Sequence, residues 1–214
     1  MPTFVVRVWI PDRPGALGAV ASRIGAVRGD VVGIDILERG AGRAIDELYV
    51  ELPDADLVDL LVNEIKAVDG VAVEDVRQAD GVRDARLDAL ETATALMSCP
   101  SGGHLLTVLT EQAVTDFGAD WAAVVDDTSS TLRAADGPAP EAAWLSAFVA
   151  GSSSSEAVAA GESGPDDLAW AALPTAGLHL VLGRSGRPLR SVERRQVAAL
   201  ARIADLRWGE LPES

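Results

Sequence analysis

The feature that most narrows the fold is a change of hydrophobic period, from two residues to about 3.6 and back, made twice within residues 1–78. Phe4–Ile10 alternates, with Val6, Val8 and Ile10 on one face and Val5, Arg7 and Trp9 on the other, which predicts a strand. Asp12-Arg13-Pro14-Gly15 breaks it, and Leu17, Val20, Ala21, Ile24 and Val27 then follow the i, i+3, i+4, i+7 spacing of an amphipathic helix. Gly29 stands where a helix-ending glycine belongs. Val31–Leu37 is β-branched, Glu38–Arg43 is a polar glycine-bearing turn, and Ala44–Leu52 sets Leu48, Val50 and Leu52 against Glu47, Tyr49 and Glu51. Pro53-Asp54 opens a second helix with a stripe of Leu57, Leu60, Leu61, Ile65 and Val68. Asp69-Gly70 ends it, and Val71–Arg77 supplies a fourth strand. The order β-α-β-β-α-β is the ferredoxin-like split arrangement. The first and third strands are expected as central, parallel neighbours, with both helices on one sheet face. The opposite face, with Val5, Trp9 and Tyr49 among charges, is expected to pack on a second copy or on the rest of the chain.

Residues 79–102 read as a linker helix, carried by Leu87, Leu90, Ala93, Leu96 and Met97 and broken by Pro100-Ser101-Gly102-Gly103. Residues 103–214 then give a helix ending at Gly118 and strands at Trp121–Asp126 and Thr131–Ala135. A helix over Glu141–Ala150 follows, then a flexible Gly151–Ser155 stretch and an acidic loop over Gly161–Asp167. Strands at Leu168–Leu173 and Leu178–Arg184 precede a closing helix, for which Ser191 is the expected N-cap and Glu193 the first-turn acid. The whole reads as an α+β chain of two domains.

Charge and cysteine use remove several functions. Lys+Arg number 18 against 33 Asp+Glu, a net charge of −15, and Lys66 is the sole lysine, so neither nucleic acid nor an anionic membrane is an expected partner. No apolar run reaches the roughly 18–20 residues of a membrane span, and Arg7 and Asp12 interrupt the first hydrophobic stretch, unlike a secretory signal. A cytoplasmic protein is expected. Cys99 stands alone, so no disulfide or multi-cysteine metal site forms within the chain. No Gly-x-x-x-x-Gly-Lys phosphate loop and no Gly-x-Ser-x-Gly elbow occur. His104 and His179 are the only imidazoles. His179 alternates with Leu178, Leu180 and Leu182 and so points off the leucine face. No catalytic residue, cofactor or metal is expected.

The informative chemistry lies at Asp12-Arg13-Pro14-Gly15-Ala16-Leu17, where a strand end runs straight into a helix. Pro14 suits a first helical turn, and Gly15 permits a tight bend or close approach to the backbone. The N–H groups of Ala16 and Leu17 face outward at the positive end of the helix dipole, ready for a carboxylate, and Asp12 beside them can receive an ammonium group. Those two functions together recognise a free amino acid. The plainer alternative makes Asp12 a helix cap and Gly15 a simple turn.

With these residues in place, 4–78 resembles an ACT domain, a small regulatory ligand-binding module. The resemblance rests on the first strand, the Arg13-Pro14-Gly15 junction, the apolar helix up to Gly29 and the polar hairpin. It implies side-by-side pairing of two copies, with an amino-acid-like effector at the pair interface. The implied contacts are Asp12, Pro14 and the backbone of Gly15, Ala16 and Leu17, with a second set at the start of the second strand, Asp30-Val31-Val32. There Val31 replaces the amide-bearing residue typical of the family, leaving Asp30 or Asp35 to substitute. Residues from about 85 to 207 resemble a GAF domain in element order, with a pocket expected between the sheet and Glu141–Asp167. The implied function is a non-enzymatic regulator that binds a small amino-acid-like ligand at a homodimer interface and relays it to a partner protein. The alternative is a ligand-free dimerisation adaptor.

Overall fold

The computed structural model describes residues 1–79, 84–154 and 165–212, and divides into two compact units, Met1–Arg83 and Asp84–Ser214. The first comprises β1 (Thr3–Pro11), α1 (Ala16–Ala26), β2 (Asp30–Gly40), β3 (Arg43–Glu51), a 3-10 turn (Ala55–Leu57), α2 (Val58–Lys66) and β4 (Ala72–Ala79). Its sheet has the order β2-β3-β1-β4. β1 and β3 are adjacent but antiparallel, with Thr3 opposite Glu51 and Pro11 opposite Arg43, which corrects the expected parallel pairing. The reason is topological. The α1 crossover makes β1 and β2 the parallel pair and leaves one place between them, and β3, tied to β2 by a tight hairpin, fills it running the other way.

The hydrophobic phases fall as the period implies. Val6, Val8 and Ile10 of β1 and Leu48, Val50 and Leu52 of β3 share one core with Val20 and Ile24 of α1 and Leu61 and Ile65 of α2. Each such side chain, when fully buried, contributes about 1.5–3 kcal/mol. The hairpin is tighter than the Glu38–Arg43 turn expected: Glu38 and Arg39 belong to β2, and Ala41 and Gly42 alone turn, both at positive φ. The end of α1 also differs. The left-handed residue is Arg28 (φ 61), not Gly29; the Gly29 N–H bonds Ile24 O at 3.0 Å and the Arg28 N–H bonds Gly25 O at 3.0 Å, closing the last turn. Gly29 is instead held by space, since a Cβ there would lie 2.9 Å from Ile24 Cγ2.

The second unit contains α3 (Ala85–Met97), α4 (Gly102–Phe117), β5 (Trp121–Asp126), β6 (Thr131–Asp136), α5 (Ala142–Ser153), β7 (Leu168–Leu173), β8 (Leu178–Gly183) and α6 (Ser191–Glu210). The helix read as a linker spans Ala85–Met97 and is a member of this unit: Leu96 and Cys99 join its core, and Thr92 Oγ1 lies 2.9 Å from Asp116 Oδ2 on α4. The antiparallel sheet β6-β5-β8-β7 packs one face on α4 and α6 through Leu105, Leu109, Val197 and Ala201. Its other face, with Ala123, Val125 and Val181, packs on Leu145 and Val149 of α5. Gly151–Ser153 is the last stretch of α5 rather than a flexible stretch, its Ser153 hydroxyl donating to Val149 O at 2.7 Å. Ser155 and residues 161–164 of the expected acidic loop lie outside the described residues. The N-cap of α6 is Arg190 and not Ser191; its N–H donates to Glu193 Oε2 at 2.8 Å, the N3 carboxylate reaching back to the N-cap as in a capping box. Arg184, 3% exposed, pairs with Glu193 Oε1 at 2.8 Å and donates to the carbonyls of Phe117, Arg187 and Pro188, fixing the loop between β8 and α6. Among the described residues no helix is long and apolar enough to cross a membrane. The chain is thus α+β, with two four-stranded antiparallel sheets.

Candidate functional site

The junction between β1 and α1 is pinned from below and open above. The Asp12 N–H donates to Gly42 O at 3.0 Å, tying the loop to the β2–β3 hairpin, and the Arg13 N–H turns back to Pro11 O at 2.8 Å. Asp12, Arg13, Pro14 and Gly15 are all exposed. Gly15 is the N-cap of α1 in a left-handed conformation (φ 88, ψ −14), a region that costs an L-residue roughly 1–2 kcal/mol, so glycine here is a backbone requirement. Pro14 accordingly lies in the turn before the N-cap, one residue outside the helical turn expected for it. No side chain caps α1, so Asp12 is not its cap.

The N–H groups divide. That of Ala16, a buried residue, is directed at Arg13 O at 3.3 Å and that of Ala19 at Gly15 O at 3.0 Å. Those of Leu17 and Gly18 have no backbone partner among the described residues, which leaves two adjacent donors at the positive end of the helix. The expected donor pair is therefore shifted by one residue, from Ala16 and Leu17 to Leu17 and Gly18, because the Arg13–Ala16 turn already occupies the first.

A second carboxylate, missed in the sequence reading, belongs to this end of the sheet. Asp46 of β3 sits opposite Val8 and shares the helix-facing phase of Leu48 and Val50. It is 5% exposed, and its Oδ1 is buried without a hydrogen-bond partner. Burial raises its pKa above the usual aspartate value; the charge of Arg39 opposes this and that of Asp12 adds to it. Its signal was available: carrying the Leu48/Val50/Leu52 phase two residues back puts an acid at an apolar position.

Asp30, Val31 and Val32 occupy the other end. Asp30 pairs with Glu51, which pairs with Thr3, whereas Asp12 follows Pro11. Eight strand steps separate Thr3 from Pro11, about 26 Å at about 3.3 Å per residue, so one copy does not bring Asp30–Val32 to Asp12–Leu17. Val32 falls at a bulge, between the pairs Val31–Val50 and Gly33–Tyr49. Asp35 is committed elsewhere: it accepts from Tyr49 Oη at 3.1 Å, and burial, with Asp35 adding to it, pushes the Tyr49 phenol well above its ordinary range.

The sheet face opposite α1 and α2 carries an ionic lattice. Arg7, 0% exposed, meets Glu47 Oε1 at 2.9 Å through Nη2 and at 3.0 Å through Nε, and Arg77 Nη1 reaches the same Glu47 oxygen at 2.9 Å. Trp9 Nε1 donates to Glu74 Oε1 at 3.0 Å. Burial pushes the Glu47 carboxyl up, but the hydrogen bond and charge of Arg77 and the charge of Arg7 outweigh it, and its pKa falls below the ordinary value.

In the second unit His179 lies off the leucine face, as its alternation implies, with Nδ1 3.6 Å from Asp127 Oδ1 and its ring centroid 5.7 Å from that of Trp170. Burial lowers its pKa against the opposing charges of Asp127 and Asp126. The buried Cys99 thiol donates to Ala95 O at 3.3 Å and its pKa is raised by burial, so it is neither aimed at His104 nor activated. His104 opens α4, its N–H donating to Ser101 Oγ at 3.4 Å.

No family model matches the sequence, and no match is found among curated proteins. Among solved structures, the ACT domain of a GTP pyrophosphokinase from Chlorobium tepidum is 16% identical, covering 37% of this chain and 100% of that one with a TM-score of 0.30. An unknown protein from Galdieria sulphuraria is 19% identical over 45% of this chain and 63% of its own, with a TM-score of 0.33. A formyltetrahydrofolate deformylase from Pseudomonas putida is 17% identical over 45% and 38%, with a TM-score of 0.28.

Proposed function

We propose that the chain is a non-enzymatic, cytoplasmic regulatory protein whose first unit, an ACT-like module, binds a small amino-acid-like ligand at a homodimer interface and whose second unit, a GAF-like scaffold, passes the change to a partner protein. The observation that carries the reading is the open pair of N–H donors at Leu17 and Gly18 beside exposed Asp12. A carboxylate on the donors and an ammonium on the acid is the pairing those charges favour.

The topology supports the pairing. β2 is an edge strand, and Ile34 and Ile36 on it are 43% and 41% exposed. If two copies join antiparallel along β2 about a twofold axis, the start of one β2 lies beside the end of the other. That end, at Gly40, is the end that holds Asp12. Asp30–Val32 of a second copy would then approach Asp12–Leu17 of the first, and one site would draw on both.

The direct test is thermal unfolding with each of the twenty amino acids, beside sedimentation of the free and ligand-loaded chain. One or a few amino acids are expected to raise the melting temperature and tighten the dimer, because a ligand at 100 times its Kd adds about 2.7 kcal/mol to the state that binds it. Flat melting curves with a stable dimer favour the second reading, a ligand-free pairing adaptor, for which the exposed β2 edge is the specific support.

A further inference from the structure

A helix that is apolar on two sides needs cover on both. α3 is such a helix. Its inner side, with Leu96 and then Cys99, is buried in the core of the second unit. On the side away from these stand Leu87, Leu90, Thr94 and Met97, spaced by three, four and three residues. Leu87, Leu90 and Met97 are 52%, 60% and 41% exposed, and Thr94 is exposed too. The Thr94 hydroxyl donates to Leu90 O at 2.8 Å, so it brings no unmet polar group to this ridge. The spacing is that of a coiled-coil heptad, with Leu87 and Thr94 at position a and Leu90 and Met97 at position d. Position g is then Arg86 and position e is Glu91. Both are exposed, and neither side chain has a partner among the described residues.

We propose that the outward ridge of α3 pairs with the same ridge of a second copy, the two helices running parallel as a short coiled coil. Charge sets both the partner and its direction. In a parallel pair, position g of one helix lies against position e of the following heptad on the other. Arg86 of each copy therefore meets Glu91 of its partner, and the twofold axis makes two such ion pairs. In an antiparallel pair e faces e, which turns the acids Asp84 and Glu91 of one helix toward those of the other. The chain's net charge of −15 opposes unspecific association, but Arg86 and Glu91 cancel, so the ridge itself carries none of that excess. A seam this short would not hold two isolated helices together. α3, however, is already fixed by its own unit, through Leu96 and Cys99 in the core and Thr92 Oγ1 at 2.9 Å from Asp116 Oδ2, so pairing orders no new helix. The seam lies within the second unit and involves no ligand, so it is independent of the β1–α1 site and of the β2 edge.

The experiment is oxidative cross-linking of the full chain carrying one added cysteine. Thr94→Cys places it at position a, and Ala89→Cys places it on the same helix at position c, which a parallel seam turns away from the partner. The buried Cys99 is common to both chains. Thr94→Cys is expected to form covalent dimer at least about tenfold faster than Ala89→Cys, because a parallel seam sets each a position against its own copy. Within the Thr94→Cys chain, Arg86→Glu or Glu91→Arg alone is expected to slow the cross-link by about threefold or more, since each replaces attraction by repulsion on both sides of the seam. The two exchanges together are expected to restore it, because they rebuild the same ion pairs in reverse. Equal rates from Thr94→Cys and Ala89→Cys, or no covalent dimer from either, overturn the proposal. Single exchanges without effect, or a double exchange no faster than the single ones, overturn it as well, because the helices are then not joined in the parallel register.

Discussion

Asp46→Asn in the absence of ligand tests the premise that this carboxylate is unpaired. Leaving a buried polar group unsatisfied costs about 1–3 kcal/mol, and the attraction of Arg39 offsets part of that, so the substitution is expected to stabilise the first unit by about 1 kcal/mol at pH 8. For a unit of 83 residues that is a rise of about 4–8 °C in melting temperature. The pH dependence has a fixed sign. The folded-state pKa is raised, so below the ordinary aspartate value the group is protonated whether folded or not and exacts nothing. As pH climbs from there through the folded-state pKa, the folded form is progressively destabilised, and beyond it the penalty is constant. The gap between variant and wild type should therefore be absent near pH 3.5, open on the alkaline side of about 4, and stay level to pH 8. Urea denaturation followed by circular dichroism at pH 3.5, 5, 6.5 and 8 measures it. A variant less stable than wild type at pH 8, or a gap that widens toward acid, would refute the reasoning, because Asp46 would then be a paired and stabilising carboxylate.

Three other substitutions probe features that need no ligand. Arg28→Gly should stabilise the first unit by about 1 kcal/mol in urea melts, since Arg28 holds φ 61 at the end of α1 and glycine carries no left-handed penalty. Gly183→Ala should destabilise the second unit by about 1–3 kcal/mol, because its Cβ would fall 2.4 Å from the Trp121 indole; urea melts followed by circular dichroism check it. Glu47→Gln should destabilise the first unit by about 3 kcal/mol at pH 7 by leaving Arg7 short of its partner. The depressed Glu47 pKa means the ion pairing is fully present above the ordinary glutamate value and lost as pH falls through the folded-state value, so this deficit should shrink when melts are repeated toward pH 3.

What could be read from the sequence follows from how local each cause is. The strands at Phe4–Ile10 and Leu178–Arg184 and the helices around Val20–Ile24 and Val197–Ala201 are declared by side-chain period alone, and they appear with the expected inward faces. The direction of β3 against β1 is not local: it depends on which strand fills the gap left by the α1 crossover. Arg28 in place of Gly29 was hidden because both satisfy the same spacing, and only the Ile24 side chain, which crowds position 29, decides between them. The junction at Asp12–Leu17 was visible through its glycine and proline. The occupation of the Ala16 N–H by Arg13 O was not, since it depends on how tightly one turn closes. Asp46 was visible in phase but looked like one more acid in an acidic chain, and only its burial and missing partner set it apart.

The separation between Asp12–Leu17 and Asp30–Val32 bears on regulation as well as on location. Were both clusters at one end of a single copy, a ligand could bind the monomer, and pairing would be irrelevant to it. They lie at opposite ends of β1 and β2, so any ligand that touches both must touch two copies. In the proposed twofold pair there are two equivalent sites, and a ligand bridging the copies favours the paired state over the separated one by its own differential affinity. For a pair joined along β2 as proposed the coupling is reciprocal: whatever tightens the pair, such as burial of the exposed Ile34 and Ile36 on that edge, tightens the ligand by the same factor. A site assembled as proposed would respond to ligand by changing the population of pairs, with no need for the first unit to change its fold.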